Sequence, residues 1–213
     1  MPWAEKERTA LITTLRAADP DGPTRCEGWN VRRLLAHLVQ REQDIKGTVG
    51  DQVARDKPGQ EHNLTKLTDA ARSPEGYTAL IDRFAQGAPA WSPLKWASEQ
   101  INLVEYVVHH EDIRRAGLTP AEPRVLPDSQ QQSVWSQLSV LGRLVYLRAP
   151  VGVTLAQPSG KTKTVKKGET AVTLTGAPVE LALYANGRRD VARVEITGPP
   201  EAVERFTGWI DGH

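Results

Sequence analysis

The sequence predicts an α+β chain: a bundle of long helices over residues 1–149, followed by a small α+β domain over residues 150–213. Two observations carry that division. Up to about Ala149 apolar residues recur at spacings of three and four, and Pro20, Gly22, Pro23, Pro58, Gly59, Pro74, Pro93 and Pro120 fall between the periodic segments. After Pro150 the vocabulary changes to short β-branched runs separated by turn residues. A third observation, ionisable residues on the inward face of one long helix, points toward function.

The first helix is expected from roughly Trp3 to Ala18. The second opens at Asn30, a good N-cap residue, and runs through Val31, Leu34, Leu35, Leu38, Ile45 and Val49, with Arg33 where a capping box places Glu. Trp29, just ahead of the cap, reads as a hydrophobic staple. A shorter helix or two fills the region from His62 to Gln86, with His62 itself in a loop-like stretch. The third long helix is expected from about Leu94 to Ala116 and the fourth from about Asp128 to Arg148; four such helices suggest an up-and-down bundle. Trp91, Trp96 and Trp135 read as packing residues. Beyond Pro150, strands are expected from Val151 to Ala156, Thr162 to Lys166, Ala171 to Thr175 and Val191 to Thr197. Two short helices, Ala177 to Ala185 and Pro199 to Ile210, interrupt them, the latter with Pro200 in its first turn. A tail of about sixty residues is near the lower size limit for folding alone, so it is expected to pack on the bundle and leave a crevice for a ligand.

Composition narrows the function classes. Charge nearly cancels, 27 basic against 26 acidic residues, and the two signs are interspersed, which argues against a nucleic-acid partner. Lys161, Lys163, Lys166 and Lys167 read as the wet, edge-protecting face of a hairpin. No stretch has the length of apolar sequence that a membrane span requires, so no membrane partner is expected. The single cysteine, Cys26, excludes an internal disulfide framework and reads as an inert residue; with no secretory pattern at the N-terminus, a cytoplasmic location is expected.

On the third long helix Ile101, Val104 and Val108 mark an apolar stripe, and by helical phase Glu105, His109 and Asp112 fall on or beside it. Ionisable groups aimed inward need a partner or a metal, because stripping water from an unpaired charge is costly. His110 points away from that stripe and is assigned to solvent or to a structural role. On the second helix His37 flanks the apolar stripe, with Arg41 and Asp44 following on its side. Titratable groups on facing helices are how bundles build metal sites, and the Glu-x-x-x-His spacing sets two ligands one turn apart. Imidazole with carboxylate suits zinc, nickel or iron. His37, Glu105 and His109 are therefore the candidate ligands of a divalent metal, with Asp112 and Asp44 as candidates for orienting a ligand or pairing beside the site.

These residues also carry a resemblance. Thr24-Arg25-Cys26-Glu27-Gly28-Trp29-Asn30-Val31-Arg32, followed by Leu34-Leu35-Ala36-His37-Leu38, resembles the opening motif of the mycothiol-dependent maleylpyruvate isomerase superfamily. Glu105-Tyr106-Val107-Val108-His109-His110-Glu111-Asp112-Ile113 is similar to its second motif. The resemblance implies a DinB-like four-helix bundle and carries its three metal ligands onto His37, Glu105 and His109. Val172-Thr173-Leu174-Thr175-Gly176-Ala177-Pro178 and Asn186-Gly187-Arg188 resemble its small C-terminal domain, which is sterol-carrier-like. More narrowly, the chain resembles an actinobacterial branch of metal-binding proteins.

The expected function is an isomerase or S-transferase that uses a divalent metal, with zinc as the expected ion, mycothiol or a similar small thiol as cosubstrate and a small electrophile as substrate. The thiol, bound at an open coordination position as thiolate, attacks the electrophile; Arg188 is the candidate to hold a substrate carboxylate. The competing expectation is a non-catalytic metal-dependent binding or sensor module, whose metal site is closed by a fourth protein ligand such as Asp44 or Asp112.

Overall fold

The structure is a computed structural model that describes residues 2–54, 59–90 and 99–212, the side chains of Gln52 and Gln100 excepted. Trp91, Trp96 and the expected helix start at Leu94 lie outside the described residues. The chain forms two compact units, Met1–Pro123 and Arg124–His213. No helix among the described residues is long and apolar enough to cross a membrane.

The first unit is helical. Helix α1 (Trp3–Ala17) buries Ala4, Leu11 and Leu15. Helix α2 (Val31–Gln43) starts where Asn30 accepts the Arg33 backbone N–H at 2.9 Å, and it buries Val31, Leu34, Leu35, Leu38 and Val39. The sequence had suggested one helix running on through Val49, but the chain breaks at Asp44 (φ −132°) and restarts as α3 (Ile45–Ala54). Asp44 accepts the Gly47 N–H at 2.9 Å, the short polar side chain competing with helix continuation by capping the next one. Helices α4 (His62–Ala70) and α5 (Pro74–Gln86) follow; His62 opens α4 instead of lying in a loop, and Ser73 caps α5. Helix α6 (Glu99–Arg114) packs on α1, while α2 packs on α4 and α5.

Helix α6 corrects the phase drawn from its β-branched residues. Ile101 is 49 % exposed, whereas Leu103, Tyr106 and Val107 are buried. From Tyr106 to Asp112 every residue is buried, so the helix is covered on all sides and a single apolar stripe does not describe it. His110 is accordingly not at solvent: it is 3 % exposed and bonded to Glu7 (2.7 Å) and Thr14 (2.7 Å) of α1.

The second unit combines α7 (Asp128–Val145) with β1 (Gly152–Ala156), β2 (Thr162–Lys166), β3 (Ala171–Thr175), α8 (Pro178–Ala185), β4 (Glu195–Thr197) and α9 (Pro200–Asp211). The sheet order is β2-β1-β3-β4, with β1 parallel to β3 and the outer pairings antiparallel. The expected strand from Val191 shrinks to β4. Helix α7, read from its period as the fourth helix of the bundle, packs on α8 and β2 of this unit, which moves the compact boundary from 149/150 to Pro123/Arg124. The reason is tertiary: α7 directs Val134 and Leu138 inward, and a Cβ on Gly142 would meet Val165 at 2.8 Å, so only glycine permits that approach. Two of the four lysines of the hairpin leave the wet face, Lys163 donating to the Trp135 carbonyl at 2.7 Å and Lys166 to that of Leu147 at 3.1 Å.

Candidate metal centre

Helices α2 and α6 bring three candidate donors together. Glu105 and His109 sit one turn apart on α6, and Glu105 Oε1 lies 3.3 Å from His109 Nε2 and 3.2 Å from His37 Nε2. One ligand atom from each of the three lies within 4.8 Å of the others. The imidazoles meet edge to face, with ring centroids 5.2 Å apart. Arg41, one turn beyond His37, brings Nε to 3.4 Å from the same Glu105 oxygen and donates to Asn102 at 3.1 Å.

The far side of His109 is held by Asp112, whose Oδ2 lies 2.9 Å from Nδ1. Two carboxylates thus flank one ring, and the imidazole is oriented with Nε2 toward Glu105 and His37. The loop before α2 adds a third contact. Its backbone is tied to α6 by Arg25 N–H donating to the Asp112 carbonyl at 3.0 Å, and Thr24 Oγ1 closes it on the Trp29 carbonyl at 2.8 Å. That closure delivers Cys26 Sγ to 3.1 Å from Asp112 Oδ2 and 3.7 Å from His109 Nδ1. Trp29 packs its ring on His37 at 4.9 Å between centroids and donates to Glu61, which pairs with buried Arg33 at 2.5 Å.

Electrostatics follow from this packing. Burial lowers the pKa of His37, outweighing the raising effect of Glu105, so its ring is uncharged near neutral pH. Burial by itself raises Glu105, but hydrogen bonds from His109 and His37 overcome that and hold its carboxyl well below the ordinary range. Burial likewise lowers His109, and the contacts with Asp112, Cys26 and Glu105 overcome it, placing this ring well above the ordinary imidazole value when no metal competes for Nε2.

Of the other residues singled out from sequence, Asp44 is exposed and spends its carboxylate capping α3, two turns along α2 from His37, so its expected place beside the site is corrected. Arg188 belongs to the second unit, where its guanidinium donates to the Asn186 carbonyl of its own turn. Cys26 was read as inert, and Trp29 as a staple; their contacts with Asp112, His109 and His37 depend on loop closure, for which the sequence carried no signal beyond their place in the first motif.

The fold and this donor set define an α+β chain whose helical unit is built around a two-histidine, one-carboxylate cluster. The family model described as mycothiol maleylpyruvate isomerase N-terminal domain matches residues 4–114, and the chain belongs to that family. Two solved structures of the mycothiol-dependent maleylpyruvate isomerase share the fold. One, of a histidine-to-alanine mutant, is 16 % identical with a TM-score of 0.59 and covers 93 % of each chain. The other is 14 % identical with a TM-score of 0.58 and covers 92 % of this chain and 90 % of its own. A search of curated proteins finds no match.

Proposed function

We propose that this chain binds a divalent metal, with zinc as the expected ion, through His37, Glu105 and His109, and acts as a small-thiol-dependent isomerase or S-transferase on a small electrophile. The observation that carries the reading is the convergence of two imidazole nitrogens and one carboxylate oxygen within 4.8 Å. Catalytic zinc sites use three protein ligands of these types and keep a further position open. Among the described residues, Asp112 faces the opposite ring nitrogen of His109 and Asp44 caps α3, so neither is a fourth donor that closes the cluster. Membership of the family, and the mycothiol dependence stated for the two solved structures, support the thiol as cosubstrate.

A metal bound here supplies a Lewis acid that lowers the pKa of a thiol at its open position. The chain's own residues prepare that position. Burial keeps His37 neutral, Asp112 retains the Nδ1 proton of His109 so that Nε2 faces the cluster, and Glu105 contributes the negative charge. Trp29 shields one side of His37 from water. Arg188 is assigned the carboxylate-holding role, in which a guanidinium fork matches a planar carboxylate; turnover unchanged in Arg188→Ala for every accepted substrate removes that role. The reading is tested by elemental analysis of protein purified without added metal, followed by cobalt substitution and titration with mycothiol. Near-stoichiometric metal and a thiol-dependent change in the cobalt spectrum are expected. A metal-free wild type overturns the site, and a cobalt spectrum inert to thiols overturns the thiol-dependent activity.

A further inference from the structure

Glu105 shares its oxygen with a group that has no place in a metal's donor set. Arg41, one turn beyond His37 on α2, sets Nε 3.4 Å from Glu105 Oε1, and its Nη1 donates at 3.1 Å to Asn102 Oδ1, three residues before Glu105 on α6. Two contacts with one helix hold the guanidinium against the cluster. Its remaining nitrogen, Nη2, takes no partner among the described residues and is not sealed from solvent.

Exposure shows where a ligand can enter. His37 and Glu105 keep 25 % and 27 % of their side-chain surface and Arg41 keeps 14 %, whereas Asp112, behind His109, keeps none. The cluster is closed at the Asp112 end and reachable at the end where Arg41 stands.

A permanent cation in this place is costly for a site that only holds metal. The guanidinium stays charged, competes for the Glu105 oxygen and repels a divalent ion that takes it. Charge shows what offsets the cost. A divalent ion at the cluster meets two carboxylates, Glu105 and Asp112, whose charges balance it. Without Arg41, an anionic ligand would bring unbalanced negative charge into a largely buried place; with Arg41, the site is left one positive charge in excess, which a monoanion neutralises.

We infer that Arg41 receives the anion that completes the site: Nη2 donates to a monoanionic ligand at the open position, which in the proposed reaction is the thiolate. The inference rests on the metal reading given above.

The test is titration of the cobalt-loaded full chain with sodium azide, an anion that takes open metal positions, and with imidazole as the uncharged control, each followed by the visible spectrum. Arg41→Gln is expected to hold cobalt at least as tightly as wild type in competition with a chelator, to bind imidazole equally, and to bind azide about tenfold more weakly, the size of one charge-assisted hydrogen bond. Arg41→Lys keeps the charge and is expected to recover most of the azide affinity. A merely structural Arg41 would loosen cobalt and both ligands together. Azide binding absent from wild type, or equal in wild type and Arg41→Gln, overturns the inference, as does cobalt lost with Arg41→Gln. Arg41-dependent azide binding in a protein inert to mycothiol supports the anion site and overturns only the thiol-dependent activity. A wild type that takes up no cobalt overturns both.

Discussion

On one side of helix α6, buried charges are closed off in local sets: His110 with Glu7 and Thr14, and Glu111 with Arg115 at 2.6 Å and Arg114 at 2.9 Å. On the other, a single oxygen of Glu105 is approached by His37, His109 and Arg41, and His109 is gripped from behind by Asp112. The same helix therefore buries charge in two ways. Closed sets satisfy each group with its neighbours and leave nothing to bind. The Glu105 set crowds two imidazoles onto one acceptor, an arrangement better satisfied when a cation takes the shared position. Buried charge alone is a poor pointer to function; what separates the two sides is how many donors converge on one atom.

The comparison can be broken most sharply at the shared oxygen. His37→Ala and Glu105→Ala are each expected to reduce bound metal from near-stoichiometric to background, read by elemental analysis on protein whose helicity is unchanged by circular dichroism. If either variant keeps its metal, the two sides of α6 do not differ as proposed. Removing a member of a closed set is expected to do the reverse. Arg115→Met takes the 2.6 Å guanidinium contact from the buried Glu111 carboxylate and leaves it Arg114, and is expected to cost about 1.5–3 kcal/mol in denaturant unfolding while the folded fraction still binds metal.

Smaller effects sharpen the picture. Asp112→Asn keeps the shape but loses the charge behind His109, and is expected to weaken metal binding by about 10–100-fold in competition with a chelator. Asn30→Ala removes the cap that starts α2 and is expected to cost about 1 kcal/mol, with no change in metal stoichiometry. The Arg33–Glu61 pair, a closed set that borders the site through Trp29, supplies a pH test. Burial raises the pKa of Glu61 but Arg33 lowers it further, so the folded value lies below the unfolded one of about 4.3. The pair therefore stabilises the fold above that pH, and its contribution is lost as pH falls through the folded value. The stability difference between wild type and Glu61→Gln should shrink below about pH 4.3; a difference constant with pH would show that Glu61 acts by packing alone.

Several elements were legible because their cause is local. The three- and four-residue period located α1 and α7, the β-branched runs located β2 and β3, and Asn30 marked the start of α2 because capping needs only a side chain three residues from its donor. The spacing of Glu105 and His109 likewise sets them on one face of α6 wherever that helix packs.

The rest was decided by tertiary contacts. That His37 meets Glu105 depends on the placement of α2 beside α6, 68 residues apart in sequence. That His110 and Arg115 are buried depends on α6 being covered all round, which erases the amphipathic pattern from which burial is read. That α7 joins the sheet and not the first helical unit depends on a close approach at Gly142. By itself the sequence determined which segments form helices and strands and which donors share a helix face, because those follow from bonds and spacings within a few residues. Only the folded chain decided which donors meet across helices and which charges find closed partners, because burial and proximity belong to pairs of segments and not to either segment alone.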